Sequence, residues 1–169
     1  MVLGPQAGLE ARRSGGDLNA GILARGILEE AVARLDTCRR MVRAHRHAYA
    51  IRSAQEAVEL ALKALLLQGG LDPPKWHDVG EALRKEAARY PFLSAAEVEE
   101  IASASRDLRA QRERSMYGDE ELELPPGSLF SEKDARSASR AAKRVHDLVR
   151  RAFPEEHGTG APAPSDPRP

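Results

Sequence analysis

The stretch of residues 48–68 constrains the fold more than any other part of the chain. Its apolar residues recur at three- and four-residue steps: Ile51, Ala54, Val58, Ala61, Leu62, Leu65 and Leu66. This spacing gathers them on one wide face of an α-helix. Gly69 and Gly70 provide the end of that helix. A face of this width predicts a central helix with neighbours on several sides.

Similar spacing predicts four further helices, at about residues 22–42, 78–89, 94–116 and 131–153. Ser94 followed by Glu97 is a capping-box signature, and Ser131 with Asp134 marks the start of the last helix. No segment alternates as a strand does, and no repeat is present. We therefore expect an all-α, up-and-down bundle of four to five helices.

The composition of the chain indicates the kind of core, the boundaries of the domain and the compartment. Apolar residues make up 41% of the chain and aromatic residues only 4%, which suits a small-residue helical core. We expect a flexible segment at 1–17, a helical domain at 18–153 and a disordered Pro/Gly-rich tail at 154–169. No apolar run has membrane-spanning length, and the N-terminus lacks a secretory leader. Together with a single cysteine, Cys38, this predicts a cytoplasmic protein without membrane association.

Net charge is zero, so a general attraction to nucleic acid is excluded and any binding needs a local patch. One candidate is the row Gln55, Glu59 and Lys63, which share one face of the central helix at four-residue spacing. The alternative for this row is an ordinary solvated face. His77, at a helix entrance after a proline loop, is a second candidate, although such a histidine is more often a cap than a catalyst.

The third candidate is the arginine series Arg106, Arg109 and Arg112, placed at three-residue steps. Guanidinium groups on neighbouring turns can bind phosphates in a bidentate manner. A further basic run occupies the last helix, where a solvated face is the more common meaning; it comprises Arg136, Arg140, Lys143, Arg144, Arg150 and Arg151.

Three segments together resemble the HEPN (higher eukaryote and prokaryote nucleotide-binding) family. They are AIRSAQEAVELALKALL at 50–66, WHDVGEAL at 76–83 and LRAQRERSMYGD at 108–119. The resemblance implies a four- or five-helix bundle, usually a symmetric dimer, among whose members are metal-independent ribonucleases and toxin partners of small nucleotidyltransferases. It implies no cofactor and no metal.

Nuclease members of that family carry an arginine, four to six residues, a histidine and often a tyrosine two residues later. In this register Arg109 matches the arginine, Tyr117 matches the tyrosine and Ser115 occupies the histidine position. A serine hydroxyl cannot act as general acid or base near neutral pH without a base of its own. We therefore expect no efficient RNA cleavage. Tyr117 is also a candidate acceptor of adenylyl groups from a partner, or else closes the helix against the core.

The leading hypothesis is an RNA- or nucleotide-binding domain that acts with a nucleotidyltransferase, as in toxin–antitoxin systems, with Arg109 as the one catalytic candidate. Its candidate binding residues are Arg109, Arg112, Gln55, Glu59, Lys63 and His77. The alternatives are a metal-independent ribonuclease toxin and a non-enzymatic dimerisation module.

Overall fold

The computed structural model describes residues 6–74 and 79–154, with side chains from residue 19 onward. Within these ranges the chain forms seven α-helices and one short 3-10 helix at Ala87–Arg89. The α-helices are α1 Gln6–Arg43, α2 His47–Gln68, α3 Val79–Lys85, α4 Ala95–Ala110, α5 Arg112–Tyr117, α6 Pro126–Leu129 and α7 Glu132–Arg150. The described part contains no β-strand, so the predicted all-α class is confirmed.

Helix α2 is the centre of the bundle, as its wide apolar face predicts. Ile51, Leu62 and Leu65 are fully shielded from solvent. The helix packs along α1 and α7 and also touches α3, α4, α5 and α6. Each fully buried side chain of this size contributes about 1.5–3 kcal/mol to the free energy of folding. The site residues on α2 are therefore held on a rigid element.

Helices α1 and α2 form a hairpin joined by residues 44–46, in which His45 adopts a left-handed conformation with φ of 54°. Arg34 of α1 lies 3.3 Å from the Glu56 carboxylate of α2. Helix α1 begins at Gln6, earlier than the boundary near residue 18 that the sequence predicted. Two consecutive glycines at 15 and 16 cost roughly 2 kcal/mol of helix propensity, which the helix formers around them can offset. The flexibility expected at 1–17 stays a prediction.

The capping box predicted at Ser94 is present, and the helix start predicted at Ser131 is also a capping box. The Ser94 hydroxyl accepts a hydrogen bond from the Glu97 backbone N–H, and the Glu97 carboxylate accepts one from the Ser94 N–H at 2.9 Å. Ser131 and Asp134 are joined in the same reciprocal way at the start of α7. These side chains satisfy backbone N–H groups that have no partner inside the helix.

The fourth predicted helix, expected over residues 94–116, is divided into α4 and α5. The break falls at Gln111, whose backbone N–H donates to the Leu108 carbonyl at 3.2 Å. This three-residue spacing tightens the last turn of α4, and the chain then resumes as α5. The sequence also did not predict the four-residue α6, which follows a turn at residues 118–124.

None of the helices in residues 6–74 and 79–154 is long and apolar enough to cross a membrane. Residues 75–78, which include His77, and residues 155–169 lie outside the described residues.

Candidate functional site

A hydrogen-bonded chain joins the three polar residues of α2. The Gln55 amide Nε2 donates to one Glu59 oxygen at 2.8 Å, and Lys63 Nζ donates to the other at 2.7 Å. Gln55 is only 5% exposed. This row is therefore not an ordinary solvated face, because Gln55 is buried and hydrogen bonds hold the three side chains in place.

Glu59 is held as an anion. Burial by itself would raise its pKa, but the Lys63 ammonium, the Gln55 amide and the nearby Arg112 guanidinium together keep the pKa below its usual value. The buried Gln55 Oε1 atom accepts no hydrogen bond from any described residue. The middle of α2 therefore presents a fixed carboxylate beside a lysine.

The three predicted arginines gather at the junction of α4 and α5. Arg106, Arg109 and Arg112 line an open depression of about 480 Å³, together with Ala110 and Glu113. Arg106 donates to the Ser103 hydroxyl at 3.2 Å. Arg109 is exposed, and its side chain forms no hydrogen bond or ion pair with another described residue. We call Arg106, Arg109 and Arg112 the arginine cluster.

Tertiary packing connects this cluster to α2. Helix α5 packs on α2, and Arg112 is near enough to Glu59 to lower the pKa of its carboxyl group. Within the described part of the chain, no ion pair joins the two side chains. The sequence missed this proximity because fifty-three positions separate the two residues and only the packing of α5 on α2 brings them near each other.

Ser115, which stands at the position of the family's histidine, is buried with 6% exposure. Its hydroxyl donates to the Arg112 backbone carbonyl at 2.7 Å. A hydroxyl can donate one hydrogen bond, and that of Ser115 goes to a carbonyl oxygen, which is too weak a base to remove the proton. Ser115 therefore has a structural role in α5, and no base among the described residues accepts a hydrogen bond from its hydroxyl.

Tyr117 is the last residue of α5, and 70% of its surface is exposed. The alternative in which this tyrosine closes the helix against the core is therefore wrong. The aromatic ring projects into solvent, where its hydroxyl is open to another molecule.

The histidines with described side chains lie elsewhere. His146 lines a different depression with Leu28 and Phe153, and burial lowers its pKa. His47 begins α2, and its Nδ1 atom is 3.2 Å from the Phe130 carbonyl oxygen. His77, a candidate of the sequence analysis, lies outside the described residues, so its position relative to the arginine cluster stays a prediction.

The basic run of α7 mostly meets acidic side chains of the same chain. Arg136 pairs with Glu132 and Lys143 with Asp147, both within one helical turn. Arg144 reaches Glu100 of α4 at 3.2 Å, and Arg151 reaches Glu97 at 2.8 Å. These pairs tie α7 to α4 and leave little uncompensated charge for a phosphate backbone.

A comparison with known protein families identifies the family of this chain. The sequence model of the HEPN domain matches residues 24–152, which is more than half of the chain. The chain belongs to the HEPN family. This membership indicates a function related to nucleotides or RNA. No curated protein and no solved structure matched the HEPN chain in the corresponding searches.

Proposed function

We propose that this HEPN domain binds RNA or a nucleotide through Arg109 and Arg112, without efficient cleavage, and acts with a small nucleotidyltransferase partner in a toxin–antitoxin-type system. The observation that carries the proposal is the arginine cluster. Its three guanidinium groups share one open depression, and Arg109 has no partner among the described residues. An exposed guanidinium of this kind can form charge-assisted, bidentate hydrogen bonds with a phosphate.

The α2 row lies near the cluster, because Arg112 is close enough to Glu59 to lower the pKa of its carboxyl group. Glu59 and Lys63 are hydrogen-bonded to each other, with side chains 40% and 29% exposed. The Glu59 carboxylate can accept from sugar hydroxyls or base amino groups, and Lys63 can donate to a phosphate. This combination supports a ligand that carries both a phosphate and hydrogen-bond donors, as nucleotides do.

The chemistry near the cluster favours binding over cleavage. Attack of a 2′-hydroxyl on the neighbouring phosphate needs a group that takes up a proton near neutral pH. Ser115 donates to the Arg112 carbonyl instead, and the described histidines line other parts of the molecule. Among the described residues, no histidine therefore lines the cluster to activate the nucleophile of a bound phosphodiester.

Two partner assignments complete the proposal. Tyr117, with its exposed hydroxyl, would accept an adenylyl group from the nucleotidyltransferase, forming a phosphodiester on the tyrosine and releasing pyrophosphate from ATP. The domain would also form a homodimer. Tyr117 ends α5, the helix that Arg112 of the cluster begins, so adenylylation of Tyr117 would add negative charge near the RNA site.

The test is incubation of the purified protein with single-stranded and structured RNA in EDTA, following binding and cleavage together. We expect binding without cleavage. Arg109→Ala should weaken binding at least about tenfold, because a hydrogen bond to a charged group contributes roughly 1.5–3 kcal/mol. Adding Arg112→Ala should abolish it.

Arg40→Ala is the matched control. Arg40 is an exposed arginine of α1 whose side chain, among the described residues, hydrogen-bonds only to Thr37 one turn away, so its loss removes the same charge from another surface. Equal weakening by Arg40→Ala and Arg109→Ala, or no RNA binding at all, would refute the proposed site. Arginine-dependent cleavage would identify a ribonuclease instead, and a stable dimer without RNA affinity would leave the dimerisation module.

A further inference from the structure

The Glu59 carboxylate is held in one orientation and is still open to solvent. Gln55 Nε2 donates to one of its oxygens at 2.8 Å, and Lys63 Nζ donates to the other at 2.7 Å. Gln55 is buried, whereas the side chains of Glu59 and Lys63 are 40% and 29% exposed. Groups that are fixed before a ligand arrives lose little conformational entropy when it binds.

The Glu59–Lys63 pair retains unused hydrogen-bonding capacity. An ionised carboxylate has about four lone-pair sites, two on each oxygen. Among the described residues, each Glu59 oxygen accepts one hydrogen bond, so each oxygen keeps a free site. Lys63 carries three N–H donors, of which one goes to Glu59. The pair therefore offers a ligand two adjacent acceptors with a donor beside them.

Among the four RNA bases, only guanine has the complementary edge. Its Watson–Crick edge presents the N1–H and the N2 amino group as adjacent donors, with the O6 acceptor next to N1. A carboxylate accepts two parallel N–H groups of this kind in the bidentate manner in which it binds a guanidinium. Adenine and cytosine each present one amino group beside an acceptor nitrogen, and uracil presents one N–H between two carbonyls. None of these three can fill both oxygens of Glu59.

The position of Glu59 relative to the arginine cluster suits a nucleotide. Helix α5, which Arg112 begins, packs on α2, and the Arg112 guanidinium is near enough to Glu59 to lower the pKa of its carboxyl group. A nucleotide whose phosphate is bound by the cluster can therefore turn its base toward α2. This step rests on the proposed function, because it takes the cluster as the phosphate site.

We propose that Glu59 and Lys63 make this site selective for guanine. The two Glu59 oxygens accept from the N1–H and the N2 amino group of the base, and Lys63 donates to O6. Gln55 is a positioning residue, since its amide holds the carboxylate in place from the buried side. The inference deepens the proposed function, because it specifies which base the site recognises.

The experiment is fluorescence anisotropy of short labelled single-stranded RNAs that differ only in one central base between uridine flanks. That base is guanosine, inosine or adenosine. Inosine keeps O6 and N1–H and lacks only the 2-amino group. We expect the guanosine RNA to bind at least about tenfold more tightly than the inosine RNA, because a hydrogen bond to a charged group is lost. The adenosine RNA should bind more weakly still, since adenine N1 turns an acceptor toward the carboxylate.

The decisive variant is Glu59→Gln, which keeps the size of the side chain and replaces one acceptor oxygen with an amino donor. The ratio of guanosine to inosine affinity should fall to near one, because the new amino group faces a guanine donor. This ratio is the readout, since removal of a negative charge near the phosphates changes the affinity of all three RNAs alike.

Glu56→Gln is the matched control. It removes the same charge from α2, but the Glu56 carboxylate pairs with Arg34 of α1 and with Arg52. We expect the control to leave the ratio of guanosine to inosine affinity unchanged. Urea unfolding of both variants checks that they fold as the wild type does.

Competition with free nucleotides separates two sources of the base. Displacement of the guanosine RNA by guanosine monophosphate, but not by inosine monophosphate, would support a free guanine nucleotide as the ligand. Displacement by neither, with the RNA preference intact, would support guanosine within an RNA chain.

Three outcomes would overturn the inference. Equal affinity for the three RNAs, still weakened by Arg109→Ala, would leave the RNA site standing and remove its base selectivity. A guanosine preference that survives Glu59→Gln would place the recognition of the base elsewhere. No binding of any of the RNAs would refute the proposed function itself and the guanine selectivity with it.

Discussion

Ser115 allows a direct test of what separates this chain from the nuclease members of its family. The side chain is buried in α5 and its hydroxyl donates to the Arg112 carbonyl. We expect Ser115→His to lower the free energy of unfolding by about 1–3 kcal/mol, because a larger ring must fit into a packed position. We also expect no RNA cleavage, since the buried ring would not reach a phosphate held by Arg109. Urea unfolding and an RNA cleavage assay measure the two effects.

Ser115→Ala is the control for the lost hydroxyl, which we expect to cost only about 0.5–1.5 kcal/mol. The structural assignment of Ser115 would be incorrect if the histidine variant were as stable as the wild type. Arginine-dependent cleavage by that variant would mean that the position faces the RNA site after all.

Individual residues also show where sequence reasoning reaches its limit. The four-residue spacing of Gln55, Glu59 and Lys63 predicted that they share a face, and their hydrogen bonds at 2.8 and 2.7 Å agree. The spacing could not predict that Gln55 is buried, or that Arg112 lies near Glu59. Both facts depend on which helix covers that face, and local periodicity carries no information on it.

Among the elements, those with strong local signals were predicted and those set by packing were not. The two capping boxes at Ser94 and Ser131 are fixed by hydrogen bonds between residues three positions apart, so the sequence reveals them directly. The break at Gln111 has no proline or glycine to mark it. Helix α5, which follows the break, packs on α2, and the periodicity of a single helix cannot reveal such a contact.

The turn at residues 118–124 is an element whose geometry depends on one glycine. Gly118→Ala should lower the free energy of unfolding by about 1–3 kcal/mol, because alanine is strained at φ of 92° and its Cβ would collide with the Leu124 carbonyl. Gly127→Ala is the matched control, since nothing lies within 4 Å of a Cβ at that position. We expect the control to stay within about 0.5 kcal/mol of the wild type. Equal urea midpoints for the two variants would contradict the rigidity of the turn.

At the scale of the whole molecule, zero net charge hides an uneven distribution. The cations of α7 are largely paired with carboxylates of α4 and α7, whereas the side chains of Arg109, Glu120 and Glu121 form no ion pair in the described part of the chain. The sequence showed that a general attraction to nucleic acid is absent. It could not show which cations remain uncompensated, because that depends on helix pairings between distant parts of the chain.

This distribution predicts a shallow salt dependence for RNA binding. Each phosphate neutralised on a single strand contributes about −0.7 to the slope of log K against log salt concentration. Two or three arginines of the cluster therefore give a slope between about −1.4 and −2.1, and Arg109→Ala should reduce its magnitude by about 0.7. Fluorescence anisotropy of a labelled RNA across a salt series measures both slopes. A much steeper slope that Arg109→Ala leaves unchanged would mean that the cations of α7 leave their carboxylate partners to bind the RNA, and the site would then lie on α7.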